Sequence, residues 1–143
     1  YQVYRHATIT YLSRHLTELG VPIVQPPGGH AVFLDAKRFA DHIPASGYPG
    51  IAIVNALYLE GGIRAVELGS VMFAKRDADG SERPSPLELV RLAIPRRVYT
   101  QSHFDYLIEV LAAVWRNRAE LRPYTITWQP EFLRHFTCHF APA

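Results

Sequence analysis

Residues 90–94 read VRLAI and place one arginine inside an apolar run of the kind that forms an interior strand. Because side chains alternate along a strand, Val90, Leu92 and Ile94 share one face and Arg91 lies on the other. The first face is predicted to join the core. A guanidinium stays charged, so Arg91 needs a partner. The segment alone leaves two interpretations open: a salt bridge to an acidic residue on a neighbouring strand, or a contact with a ligand.

Length and composition indicate one ordinary domain. The chain has 143 residues, 48% of them hydrophobic, which is enough for a real core. Its 15 basic and 13 acidic residues are scattered without runs and give a net charge of +2, which argues against a nucleic-acid partner. Cys138 is the single cysteine, so an internal disulfide is excluded. No stretch resembles a signal peptide or a membrane span, so we expect a cytoplasmic protein without a membrane partner.

Helical spacing and turn residues divide the chain into elements. The predicted helices cover about residues 3–19, residues 49–60 as a buried helix, and a third segment that starts with a capping box of Ser102 and Asp105. The predicted strands are HAVFLDA (30–36), IRAVE (63–67), ELVRLAI (88–94), YTITW (124–128) and RHFTCHF (134–140). Residues 74–86 read as an exposed, mobile loop. This order predicts an α+β fold over residues 1–143, with helices on one face of a mostly antiparallel sheet.

Residue patterns for catalysis or metal binding are sparse. His135 and His139 share a face of the last predicted strand, but about 13 Å would separate them there, too far for one metal ion. No metal site is therefore predicted. The sequence also lacks a phosphate-binding glycine fingerprint and a G-x-S-x-G nucleophile elbow. No self-contained active site is evident, and by itself His135 reads as a solvated strand histidine.

Four longer stretches carry a resemblance to a known family. They are GGHAVFLDAKRF (28–39), GIRAVELGS (62–70), VRLAIPRRVYTQSH (90–103) and LRHFTCHF (133–140). In this order and spacing they resemble the carboxyl-terminal part of the β-eliminating lyases, the family of tryptophanase and tyrosine phenol-lyase. The resemblance covers almost the whole chain. It implies the small domain of a fold-type-I pyridoxal-phosphate enzyme, which closes over a cofactor held mainly by a larger, earlier domain that this chain does not contain.

The family's cofactor lysine and its neighbouring motif are also missing. Lys37 and Lys75 are the only lysines, and neither stands at the corresponding position. The resemblance therefore implies that the chain is part of an enzyme, binds no pyridoxal 5'-phosphate by itself, and is inactive alone. A face for the large domain is expected to be apolar, because the buried-type helix at 49–60 needs covering.

The resemblance assigns roles to three residues. In these lyases the arginine of the VRL-x-IPR motif binds the α-carboxylate of the substrate, and Arg91 stands at that position. The tyrosine branch has an arginine where this chain has Leu68 and a phenylalanine where it has His135, whereas the tryptophan branch has histidine there. The chain is thus closer to tryptophanase, with Leu68 against the indole and His135 as a catalytic residue near the leaving group. Arg96 and Arg97 receive no role.

The reaction implied for the whole enzyme is β-elimination of tryptophan to indole, pyruvate and ammonia. Family resemblance further implies a homotetramer and a monovalent cation such as K⁺, whose ligands are not recognisable in this chain. Two alternatives stay open. One is tyrosine phenol-lyase, within the same class. The other is a non-catalytic stand-alone module that binds an amino acid or a partner protein.

Overall fold

The computed structural model describes residues 2–25, 31–93, 100–131 and 133–143, with side chains from residue 7 onward. The helices are α1 (Gln2–Glu18), α2 (Ala36–Phe39), α3 (Pro49–Gly61), α4 (Ser70–Phe73), α5 (Gln101–Arg116) and α6 (Arg134–Thr137). The strands are β1 (Ala31–Asp35), β2 (Val66–Leu68), β3 (Lys75–Arg76), β4 (Glu82–Arg83), β5 (Leu89–Ala93), β6 (Tyr124–Trp128) and β7 (His139–Pro142). Short 3-10 turns lie at Ala45–Gly47 and Arg118–Glu120.

The central sheet has three antiparallel strands in the order β1-β5-β2. Its inner face carries Val32 and Leu34 from β1 and Val90 and Leu92 from β5, all buried. These side chains form one core cluster with residues of α1, α3 and α5. The predicted alternation is confirmed over residues 90–93, because Val90 and Leu92 face the core whereas Arg91 is exposed, and Ile94 lies outside the described residues. The α+β prediction is confirmed as well.

The helix predicted over residues 3–19 is observed as α1. Its residues Ile9, Leu12 and Leu16 are buried, whereas Leu19 lies beyond the helix and is exposed. Gly20, at a φ of 85°, ends the segment, since this left-handed conformation favours glycine.

Helix α3 begins with a proline and ends at a glycine in the left-handed conformation, Gly62, as its sequence predicts. Ala52, Ile53 and Leu57 pack into the core. The expectation of a helix buried all round is wrong, because Leu59 is 82% exposed and Tyr58 is 53% exposed. The core covers one face of this helix and leaves an apolar strip open.

Helix α5 has the amphipathic stripe that the sequence predicts, with Phe104 and Leu111 buried. The capping box differs from the prediction. Thr100, rather than Ser102, is the N-cap, and His103 Nδ1 accepts the Thr100 backbone N–H at 3.0 Å. The helix therefore begins with a capping box, as predicted, but the box lies two residues earlier in the sequence.

The rest of the described chain forms two small hairpins. Strands β3 and β4 pair within the predicted loop 74–86, so this loop has a two-stranded stem with an exposed tip. Strands β6 and β7 form a separate sheet, so YTITW is a strand as predicted. The prediction of one strand over RHFTCHF is wrong: its first half is α6, and β7 begins at His139. In the described residues, no helix is long and apolar enough to cross a bilayer.

Candidate functional site

Arg91 lies at the centre of the outer face of the main sheet. Its direct cross-strand neighbours are Phe33 on β1 and Val66 on β2. Neither can pair with a guanidinium as an acid would. No ion pair of Arg91 is found within the described ranges. Of the two interpretations of Arg91, the salt bridge therefore has no acidic partner at the two directly opposing strand positions.

Leu68 lies on the same outer face as Arg91. It pairs with Leu89, and Val66 pairs with Arg91, so Leu68 and Arg91 are diagonal neighbours on adjacent strands. Such positions are about 7–8 Å apart, within reach of one another's long side chains and of a small ligand. Leu68 is half-buried. The structure thus brings together two of the three predicted site residues, a fixed cation and an apolar side chain.

His135 occupies a different local structure from the one predicted. It belongs to the four-residue helix α6, so it does not share a strand face with His139, and the 13 Å spacing does not apply. Phe136, the next residue of this helix, is 74% exposed. Its ring lies 4.1 Å from the ring of His135. The period of two in RHFTCHF does not produce a strand here, because Arg134 makes tertiary hydrogen bonds to the carbonyls of Ser70 and Val71.

His135 lines a cavity of about 330 Å³. The cavity lies between α4, α6 and the β3–β4 hairpin, and Val71, Met72, Leu133 and His135 supply part of its wall. The residues that line it do not include Leu68 or Arg91. The connection between His135 and Leu68 is indirect. Residues of α4 line the cavity together with His135, and α4 begins two residues after Leu68.

Two carboxylates lie behind this segment, buried in the interior. Glu67, on the inner face of β2, is 9% exposed, and Glu88, just before β5, is 2% exposed. The backbone N–H of Ser70 donates to both oxygens of Glu88, at 3.1 and 2.9 Å, and the N–H of Val71 donates to Glu67 at 3.0 Å. The two acids therefore satisfy the free N–H groups at the amino end of α4.

The side chains of Glu67 and Glu88 lie so close to the backbone at two positions that only glycine fits there. A Cβ at Gly69 would lie 2.5 Å from an oxygen of Glu88 and 2.9 Å from one of Glu67. A Cβ at Gly50 on α3 would lie 2.6 Å from Cγ of Glu67. The glycine of the ELGS motif thus makes room for the carboxylates.

Burial raises the pKa of both acids. It raises the pKa of Glu67 to about 7, and the negative charge of Glu88 adds to the effect. Burial also raises the pKa of Glu88, although the hydroxyl and N–H of Ser70 oppose that rise. Near neutral pH Glu67 is therefore divided between its protonated and ionised forms.

Arg134 connects this buried pair to the helix that carries His135. Its guanidinium donates to the carbonyl oxygens of Val71 at 2.7 Å and Ser70 at 2.6 Å. It also donates to Gln129 at 3.0 Å and forms an ion pair with Glu82. Helix α4 is thus bound at its N–H groups by two acids and at its carbonyls by one arginine.

Sequence reasoning missed Glu67, Glu88 and Arg134. The same signal that singled out Arg91, a charge in an apolar strand, also applies to Glu67 in IRAVE. No local pattern indicates that Glu67 and Glu88 meet, since 21 positions separate them. Of the remaining predicted residues, Arg96 and Arg97 lie outside the described residues. Where the structure describes the chain, no group of three or more histidine, cysteine or acidic residues is arranged to bind a metal ion.

The comparisons with known proteins agree with this picture. The sequence profile of the beta-eliminating lyases matches residues 1–110. The chain is 57% identical over 142 residues to a tryptophanase of Salinibacter ruber and 51% identical over 140 residues to one of Hyphomonas neptunium. It is 44% identical over 142 residues to a tyrosine phenol-lyase of Symbiobacterium.

These matches cover nearly all of the chain but a minor part of each relative. The alignments take in 98–99% of the chain and 30–31% of the relatives' own length. Both the family profile, which spans more than half of the chain, and the motif residues that surround Arg91 and Leu68 point the same way. The chain belongs to the beta-eliminating lyase family.

Proposed function

We propose that this chain supplies the substrate-carboxylate site and part of the side-chain pocket of a pyridoxal-phosphate-dependent lyase that cleaves tryptophan to indole, pyruvate and ammonia. The observation that carries the proposal is the exposed Arg91 on the central strand, between Phe33 and Val66. A planar guanidinium can bind a carboxylate through two parallel charge-assisted hydrogen bonds. That geometry fixes the orientation of the amino acid before any bond is broken.

Leu68 supports the choice of tryptophan. It lies diagonally beside Arg91 on the same face, so an amino acid held by its carboxylate can direct its side chain towards an apolar surface. An arginine there would favour a hydroxyl-bearing ring, as in the tyrosine branch. His135 serves the leaving group in this proposal, as a hydrogen-bonding or proton-transfer residue.

The residues of this chain do not suit the covalent attachment of the cofactor. A lysine that binds pyridoxal phosphate is normally desolvated, but Lys37 and Lys75 are both exposed. Lys37 donates to the carbonyl of Pro86 at 3.2 Å, on the surface. We therefore assign the cofactor and the monovalent cation to the rest of the enzyme. The same proposal includes a cytoplasmic homotetramer and a large domain that covers the exposed strip of α3.

A chimera tests the proposal directly. In it, this chain replaces the matching segment of the Salinibacter ruber tryptophanase, which is 57% identical. The chimera should release indole and pyruvate from tryptophan, whereas the 143-residue chain alone should release neither. The isolated chain should also form no specific borohydride-reducible adduct with pyridoxal phosphate at Lys37 or Lys75.

Each alternative gives a different result in the same assay. If the chimera prefers tyrosine to tryptophan, the tyrosine phenol-lyase alternative holds. The 44% identity to such an enzyme is the observation that favours this alternative. An inactive chimera, together with an isolated chain that binds amino acids, would indicate a stand-alone binding module. Conversely, if Leu68→Arg with His135→Phe creates tyrosine cleavage in the active chimera, the tryptophan assignment gains independent support.

A further inference from the structure

The short helix that carries His135 begins at a strained residue. Leu133 has φ 54° and ψ 44°, the left-handed conformation that side chains other than glycine rarely adopt. Such a conformation is unfavourable for a residue with a side chain and persists only where other contacts hold it. The side chain of Leu133 is 66% exposed, so its own packing does not hold it.

Arg134, the next residue, makes the contacts that can hold this turn. Only 14% of its side-chain surface is exposed. Its guanidinium donates to the Ser70 and Val71 carbonyls, to Gln129 and to Glu82. The backbone of α6 itself is short, with Phe136 N–H donating to Leu133 and Cys138 N–H to Arg134. Tertiary hydrogen bonds of one side chain therefore outnumber those closing the helix.

A second strained residue meets the same arginine. Tyr48, which precedes α3, has φ 55°, and its hydroxyl donates to Glu82 at 2.9 Å. The Arg134 guanidinium lies 5.9 Å from the centre of the Tyr48 ring. Burial, followed by the hydrogen bond to Glu82, raises the pKa of Tyr48 to about 12, so the hydroxyl remains a donor at neutral pH. In the described part of the chain, both non-glycine residues with positive φ flank the Arg134–Glu82 pair.

We propose that Arg134 is a positioning residue that fixes His135 relative to the segment carrying Leu68, and thereby sets the preference for an aromatic leaving group. The inference rests on the proposed function. It follows from geometry: Arg134 precedes His135 in the chain, and the carbonyls that it binds lie two and three residues after Leu68. A lysine at this position can satisfy one of these acceptors well but cannot reproduce the fork that spans both.

The test compares Arg134→Lys with the unsubstituted chimera on two substrates. Tryptophan requires handling of an aromatic leaving group, whereas an S-alkyl cysteine does not, and both share the earlier steps. We expect kcat/KM for tryptophan to fall by about 10- to 100-fold and that for S-methyl cysteine by less than about threefold. The loss should be mainly in kcat, because the carboxylate site at Arg91 is untouched. Arg14→Lys is the matched control, since Arg14 is exposed on α1 and pairs with Glu18 at a distant site.

A second readout tests the coupling without relying on activity. Amide hydrogen exchange in the chimera should rise by about tenfold in Arg134→Lys in both peptides 69–73 and 133–138, and not in α5. Equal losses for the two substrates would overturn the specificity role and leave a general structural one. Unchanged exchange in peptide 69–73 would overturn the coupling itself. If the unsubstituted chimera fails on tryptophan, the proposed function and with it the specificity role fail, and the exchange result still decides whether Arg134 couples the two segments.

Discussion

The carboxylates of Glu67 and Glu88 converge on consecutive N–H groups of α4, Glu88 on Ser70 and Glu67 on Val71. Two acids buried side by side repel each other when both are charged, and the hydrogen bonds that each accepts from its own donor offset only part of this cost. The segment between Leu68 and α4 is therefore sensitive to proton concentration near neutrality.

Stability should depend on pH through Glu67. Its pKa is about 7 when folded, against an ordinary value of 4.5, so between these values the folded chain holds a proton that the unfolded chain has lost. The stabilisation from Glu67 is therefore fully present below pH 4.5 and declines as pH rises to about 7, by at most about 3 kcal/mol. Urea unfolding from pH 5 to 8 measures it.

Glu67→Gln isolates this effect. An amide oxygen can still accept from Val71, so the variant should match the parent chain near pH 5 and exceed its free energy of unfolding above pH 7. Glu109→Gln, on the exposed face of α5, is the control and should leave the pH profile unchanged. A parallel profile for Glu67→Gln and the parent would contradict the assignment.

Gly69→Ala should destabilise the chain by about 1–3 kcal/mol, because the new methyl group would displace the Glu88 carboxylate from Ser70. Thermal unfolding measures the loss. Gly80→Ala provides a comparison: it adds a methyl group at φ 86° in open space, so it pays only for backbone conformation, about 1 kcal/mol. A Gly69→Ala variant as stable as the parent would mean that the two acids are free to move.

Arg91→Lys in the chimera should lower kcat/KM by on the order of 2–4 kcal/mol in transition-state terms, since the charge remains but the two-pronged geometry is lost. Steady-state kinetics with tryptophan and with S-methyl cysteine should show the same loss, because both substrates carry the carboxylate. Near-normal kinetics would instead identify Arg91 as an ordinary surface charge.

His135→Phe should slow elimination from tryptophan and largely spare S-methyl cysteine, because only the first reaction involves the aromatic leaving group. The ratio of the two kcat/KM values is the measurement. His139→Phe makes the same replacement four residues away, on the strand that pairs with Trp128, and should leave the ratio unchanged. Equal losses in His135→Phe would point to folding or domain closure.

The sequence correctly predicted the elements whose buried face follows from a short, regular spacing of apolar residues. The alternation around Arg91 and the stripe of α5 are of this kind, because each is read from a period within a few residues. The placement of Leu68 diagonally beside Arg91 depends on the pairing of β2 with β5, which no local pattern predicts.

The surroundings of His135 could not be predicted in this way. RHFTCHF alternates like a strand, but Arg134 finds its acceptors 63 and 64 residues earlier in the chain, and these bonds select a turn of helix. The meeting of Glu67 with Glu88 is similarly non-local. Hydrophobic period and residue propensity are local properties, so they carry no information about contacts between residues so far apart in sequence.

The long sequence separation of the Arg134 contacts has a consequence for biosynthesis. Helix α4 emerges from the ribosome more than sixty residues before the arginine that binds its carbonyls. Loop closure over that distance delays such contacts relative to local ones. The region around Met72 and His135 is thus assembled late, and a nascent chain can complete its hydrophobic core while this region is still open.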